Sequence, residues 1–176
     1  QKFGFHIIED ASHALGGMYN KFPIGSSHYS DITIFSFHPV KIVTSGEGGA
    51  AVTNDKKLDQ TMKLLRSHGI TREKALMETA NPNSWYYEQQ LLGFNYRLSD
   101  IHAALGISQL ERLESYVAKR HKIAKIYDNE LKTTNCIIPY RNPKNYSALH
   151  LYAIQVSPKI HDTIFNYLRS NGIGVN

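Results

Sequence analysis

Two short apolar runs constrain this chain more than any other feature, because each has the length of a strand and each runs directly into residues that stop one. In "FGFHIIEDA", Phe5, Ile7 and Ile8 form a brief apolar stretch closed by Glu9 and Asp10. That pattern suits a buried parallel strand whose carboxyl end carries the acid. In "DITIFSF", Ile32, Ile34 and Ser36 alternate with Thr33, Phe35 and Phe37, which predicts a second strand. Between them, the small residues from Ala11 to Gly17 read as a loop or a short helical turn, and Pro23 and Gly25 mark a further turn. Beyond the second run a glycine-rich loop leads into "GGAAVTND", a third short strand closed by Asn54 and Asp55.

Helical spacing follows. Leu58, Met62 and Leu65 share one face, and Gly69 stands where a glycine ends a helix. Residues 70–92 have weak periodicity and carry Pro82 between two asparagines, so they read mostly as loop. Ser99 opens a long segment with Ile101, Leu105, Leu110 and Leu113 on an apolar stripe, expected to be one long helix or two in sequence, bent near Tyr116. Leu149, Leu151 and Ala153 alternate in "NYSALHLYAIQVSP", which predicts a strand of a second domain, and a helix is expected over 160–170. No internal repeat interrupts this order. Strands alternating with helices point to an α/β fold, with a linker helix leading to a smaller α/β domain.

Composition excludes several classes. The 176 residues are 41% hydrophobic and 20% charged, as in an ordinary globular protein. No apolar run reaches the roughly 18 residues of a membrane span, and the N-terminus lacks the pattern of a secretory signal. The expectation is a cytoplasmic protein with no membrane partner. Cys136 is the single cysteine and has no ligand cluster near it, so neither an internal disulfide nor a metal site is expected. The net charge of +5 comes from Lys and Arg interleaved with Glu and Asp along helical segments, which marks solvated faces rather than a nucleic-acid footprint. Both ends stop in strand-like sequence, where a complete domain has exposed polar residues; a piece of a longer protein is expected.

One constellation carries chemistry. Asp10 ends the first strand, Ser36 and Lys41 follow one another at the end of the second, and glycines lie just beyond. In open α/β sheets, sites form outside the carboxyl ends of the strands, so Asp10 and Lys41 are expected to converge on one crevice. A carboxylate and an amine there make either a plain ion pair or a site for a cofactor that needs both.

The wording of the sequence narrows this. "EDASHALGG", "DITIFSFHPVKIVTSGEGGAAVTND", "LLRSHGI", "LGFNYRLSDIHAALGISQLERLE" and "HLYAIQV" resemble, in order and spacing, the DegT/DnrJ/EryC1/StrS family of sugar-nucleotide aminotransferases. The resemblance covers essentially the whole chain. It implies an aspartate-aminotransferase-like fold (PLP fold type I), with residues 1–115 as the C-terminal part of the large cofactor-binding domain. Residues 116–176 would be a linker helix and the beginning of the small domain. It also implies pyridoxal 5′-phosphate as cofactor and a homodimer with shared active sites. "SFHPVK" joined to "GEGGA" resembles the branch that aminates C4 of a UDP-linked 4-keto-6-deoxy sugar from L-glutamate, in pseudaminic acid biosynthesis.

Residue by residue, Lys41 matches the lysine that attaches to the cofactor and moves protons. Asp10 matches the acid that pairs with the pyridine nitrogen. His13 resembles a Gln or His beside the cofactor ring, Ser36 a serine whose hydroxyl contacts the phosphate, and Asn95 an asparagine that reaches the partner's phosphate. For each, a bland reading stands beside the functional one: a surface histidine for His13, a turn cap for Ser36, an Asx-turn for Asn95. Arg97 suits an anion contact or a salt bridge equally. His38, Glu47 and Trp85 are set aside as structural. The loop around Lys41 is expected to be flexible enough to let the amine swing. Two other functions are weighed, a sugar dehydratase on the same fold, which would carry His in place of Lys41, and a non-catalytic regulatory or binding relative. Family members are roughly twice as long as this chain, so apolar strand faces are expected to lie exposed in it and the isolated segment is expected to be inactive.

Overall fold

The fold was analysed in a computed structural model that describes residues 3–80 and 82–176. The first strand, β1 (Ile8–Asp10), lies parallel to β4 (Ile32–Ser36), with Asp10 opposite Ile34. β5 (Gly49–Val52) returns antiparallel on the other side of β4, so the sheet order is β1-β4-β5. Both chemistry-bearing strands therefore sit side by side and end at the same edge. A small second sheet joins β2 (Met18–Tyr19), β3 (Phe22–Pro23) and β8 (Asn145–Tyr146), in the order β3-β2-β8. This pairing carries the C-terminal segment back onto the first part of the chain.

Burial within the sheet differs from the expected pattern. Thr33 and Phe35 of β4 are buried, whereas the Ile32/Ile34 face is more open and Ile34 is 40% exposed. Ile8 is 64% exposed, and Phe5 and Ile7 are exposed as well. The first strand is not buried in this chain: β1 has a strand on one side only and, among the described residues, no element covers its apolar side chains, which is the exposure of apolar strand faces expected for this chain. The chain's own packing centres instead on Ile42, Val117 and Ala148, with Leu113 against them.

α1 (Lys56–Arg66) is capped by Asp55, whose carboxylate accepts from the backbone N–H groups of Lys57 and Leu58. His68 and Gly69 both adopt positive φ just past its end. The described residues between 70 and 92 are mostly irregular, as expected, apart from a 3-10 turn over Lys74–Leu76 and a two-residue rung between β6 (Ile70–Thr71) and β7 (Glu88–Gln89). The long helical segment is two helices: α2 (Asp100–Leu110), capped by Ser99, and α3 (Leu113–Leu131). The break falls at Glu111 and Arg112, ahead of the expected bend. α4 (His161–Ser170) follows a 3-10 turn over Pro158–Ile160.

The strand expected over residues 149–153 does not form. Leu149 adopts φ of 51°, in the left-handed region, which breaks any ladder at that point. The stretch "NYSALHLYAIQVSP" contributes β8 at its start and an isolated bridge between Ile137 and Gln155 beyond the turn. No helix among the described residues is long and apolar enough to cross a membrane.

Candidate functional site

Asp10 is the last residue of β1, and the ladder ends just beyond it where the Ala11 N–H donates to the Ile34 carbonyl at 2.8 Å. The freed chain turns at once, and Asp10 Oδ1 accepts from the Ser12 hydroxyl at 2.5 Å and from the Ser12 N–H at 3.0 Å. These two hydrogen bonds hold the carboxyl below its usual range, with the positive potentials of His13 and Lys41 acting in the same direction against partial desolvation. Asp10 is a carboxylate at neutral pH. Lys41 lies close enough to act on it.

Ser36 ends the neighbouring strand, and its Oγ accepts from the His38 N–H at 3.4 Å. The turn that follows brings the Lys41 N–H to the His38 carbonyl at 2.9 Å. Lys41 is half-buried, and the two residues after it, Ile42 and Val43, are buried. Contrary to the expected flexibility, the loop is closely tied. Phe37 donates its N–H to the Gly48 carbonyl and accepts from the Ser45 N–H and the Thr44 hydroxyl, while the Ser45 hydroxyl donates to the Glu47 carbonyl. Gly48 has φ of 145°, and a Cβ there would sit 2.7 Å from Ser45 Oγ and 2.8 Å from Leu98 Cδ1. The glycine makes a close fit possible rather than a mobile one. Movement of the Lys41 amine is thereby left to its own side-chain torsions.

His13 follows Asp10 on the same turn and is exposed. Its ring centroid lies 4.4 Å from that of His150, a residue from the far end of the chain. Burial, together with the charges of His13, Lys41 and Arg120, pushes His150 below the ordinary histidine range. The turn after Asp10 thus meets the C-terminal part of the chain through the His13–His150 contact. Gly16, at φ of 82°, lets this turn press against α3: a Cβ there would meet Val117 Cγ2 at 3.0 Å and Leu113 Cδ1 at 3.1 Å.

Asn95 stands apart. It is exposed and bridged to Ser67, in an extended segment held to the end of α1 by the Phe94 and Tyr96 N–H groups. The cap of α2 is Ser99, not Asn95. Arg97 and Trp85 are exposed, and His38 and Glu47 approach to 3.9 Å at the surface, a contact worth little. Sequence reasoning missed His150 and the Arg120 beside it. The only available signal was the "HLY" wording; nothing local distinguishes that histidine from any other.

The family model for the DegT/DnrJ/EryC1/StrS aminotransferase family matches residues 1–176. The chain is 41% identical over 180 residues to the UDP-4-amino-4,6-dideoxy-N-acetyl-beta-L-altrosamine transaminase of Campylobacter jejuni, covering 99% of this chain and 45% of that protein. Among solved structures, it is similar to Helicobacter pylori PseC, an aminotransferase involved in the biosynthesis of pseudoaminic acid, with a TM-score of 0.85 and 34% identity over 97% of this chain and 44% of that one. A sugar aminotransferase of Streptococcus pneumoniae in its PLP form superposes with a TM-score of 0.83 and 29% identity, again over 97% of this chain and 43% of that one. The chain spans less than half the length of these relatives.

Proposed function

This chain belongs to the DegT/DnrJ/EryC1/StrS aminotransferase family, and from that premise we propose that the full-length protein is a pyridoxal 5′-phosphate-dependent sugar-nucleotide aminotransferase. Its reaction moves the amino group of L-glutamate to C4 of a UDP-linked 4-keto-6-deoxy-N-acetylhexosamine, as in pseudaminic acid biosynthesis, and leaves 2-oxoglutarate. The observation that carries this reading is geometric: the parallel pairing of β1 and β4 ends Asp10 and the Ser36–Lys41 segment at one edge of the sheet. The fold is the aspartate-aminotransferase-like one, PLP fold type I, in part. In that frame residues 1–115 belong to the large domain and residues 116–176 to the linker helix and the start of the small domain.

The donor set fits the cofactor. An ionised Asp10 suits a protonated pyridine nitrogen, and the Ser12 hydrogen bonds orient it. The Ser36 hydroxyl suits a phosphate oxygen and His13 a position beside the ring, while Asn95 serves the partner's phosphate in a homodimer. When bound, the cofactor supplies an electron sink for the carbanion formed at the donor's α-carbon. Lys41, held on a tied loop but free in its side chain, would serve as the base that takes the proton from the donor's α-carbon and delivers it to C4′ of the cofactor. No nucleic acid or membrane enters this scheme, and the protein works in the cytoplasm.

The test uses the full-length protein loaded with pyridoxal 5′-phosphate. It is expected to be yellow, to bleach on borohydride with the label on Lys41, to release about one equivalent of 2-oxoglutarate per site from glutamate alone, and to turn over repeatedly only when a UDP-4-keto sugar is present. A colourless protein, or a label on another lysine, would overturn the proposal. Product from dTDP-linked but not UDP-linked sugars would overturn the substrate assignment alone.

A further inference from the structure

We propose that His150 is a positioning residue of this same site, bracing the ring of His13 from a turn near the C-terminal end of the chain. The inference rests on the reading above for its chemistry, but its geometry stands on separate observations. The turn that delivers His150 is held from several directions. Arg120 Nη1 on α3 donates to the carbonyls of both Leu149 and His150 at 3.2 Å. From the next residue, His121 Nε2 meets the Ser147 carbonyl at 2.8 Å, and its ring stacks on Tyr146 at 4.4 Å. The Leu149 N–H donates to Ser147 Oγ at 3.1 Å, and Leu149 itself adopts a left-handed φ of 51°, a conformation a leucine takes only when its surroundings impose it. The result of these restraints is a ring placed 4.4 Å from His13 and inclined to it by 53°.

The same turn is locked to the residue beside Lys41. Ala148, 1% exposed, packs with Ile42 and Val117. One short segment therefore supports both members of the pair, Lys41 through Ile42 and His13 through His150.

His150 Nδ1 is buried with no hydrogen-bond partner among the described residues, so the ring acts on His13 through packing, a role that a phenyl ring can also fill. The charged groups facing it are His13, Lys41 and Arg120, all cationic or able to become so, and together with burial they keep it unprotonated. His150 thus supports His13 without placing another positive charge beside the Lys41 amine.

The experiment uses the full-length protein and two variants, H150A and H150F, read in two ways. In the cofactor-free protein, NMR titration of the histidine Cε1–H signals is expected to place His150 below the ordinary 6.5. The His13 signal should shift in H150A and stay near its wild-type position in H150F. In the loaded protein, the pH at which the visible band changes is expected to move by about 0.5 or more in H150A, with kcat falling roughly fivefold and KM values staying within about twofold. H150F should recover most of kcat. The proposal is overturned if His13 and the visible band are unmoved in H150A, or if H150F is as impaired as H150A. Should H150A fail to fold, H13Q decides: removing the His13 charge should raise the His150 titration, and an unmoved His150 refutes the contact. The NMR arm is independent of cofactor binding, so a protein that never becomes yellow refutes the proposed function and leaves this inference to be judged by itself.

Discussion

Replacing Ile42 by alanine tests whether the small core beneath the site is what holds Lys41 in place. Ile42 is 6% exposed and packs against Val117, Ala148 and the half-buried Leu113. The change removes three buried carbons, worth about 2.4 kcal/mol at roughly 0.8 kcal/mol each. A residual cavity adds to this, since the neighbours collapse only in part; Ile-to-Ala changes fall at about 2–5 kcal/mol. The cluster is small, and Ala148 has little side chain to lose or move, so about 3 kcal/mol is expected. Urea denaturation of the full-length protein measures the loss. Because the backbone of Ile42 continues directly into Lys41, the bound cofactor should also dissociate faster than from a control such as L65A on α1, matched for lost stability. A loss well under 1 kcal/mol would show that the cluster is not a core. A full loss with cofactor retention equal to the control's would show that it does not position Lys41.

Two further outcomes follow from other parts of the molecule. Gly48→Ala should destabilise by about 2 kcal/mol, since it forces a strained φ and brings a methyl group within 2.8 Å of Leu98 Cδ1; L98A should recover part of this in the same thermal unfolding assay. Arg141 makes paired hydrogen bonds to Asp128, at 2.5 and 3.0 Å, and Tyr152 adds a third at 2.8 Å. Those contacts, Arg141 foremost, lower the Asp128 pKa in the folded state, so their stabilisation is present above the ordinary 3.8 and lost as pH falls through the folded value. Arg141→Ala should therefore cost about 1 kcal/mol at pH 7, a value discounted for solvent screening, and should flatten the acid limb of a stability-pH profile.

The acid and the amine were legible in the sequence because each lies at the end of a strand whose apolar pattern identifies it. Asp10 closes "FHIIED" and Lys41 follows "ITIFSF", and the parallel pairing of β1 with β4 delivers both to one edge. The helices were legible through spacing: Leu58, Met62 and Leu65 mark α1, and Ser99 stands where the next helical segment was expected to open and caps α2. What could not be read was governed by contacts between distant parts of the chain. The alternation over Leu149, Leu151 and Ala153 has strand periodicity, yet Arg120 holds the carbonyls of Leu149 and His150, His121 meets that of Ser147, and the backbone turns at Leu149 instead. Glycines near Lys41 suggested mobility, because a glycine chosen for freedom and one chosen for close approach look the same in sequence. Gly48 is of the second kind.

The same distinction explains how a half-covered fragment of sheet can still present an ordered site. Ile8, at 64% exposure, and Ile101, at 82%, show that the strand faces and α2 have little of their own to pack against. If site order depended on sheet burial, Asp10 and Lys41 would be poorly fixed. They depend instead on local devices: an Asp10–Ser12 turn, a loop closed on Phe37, and a three-residue cluster to which α3 contributes Val117 and the C-terminal turn contributes Ala148. Each device closes within the chain and needs no further sheet. The apolar faces are then free to be shaped by whatever packs on them, while the geometry between carboxylate and amine is set from the opposite side, by α3 and the turn that carries His150.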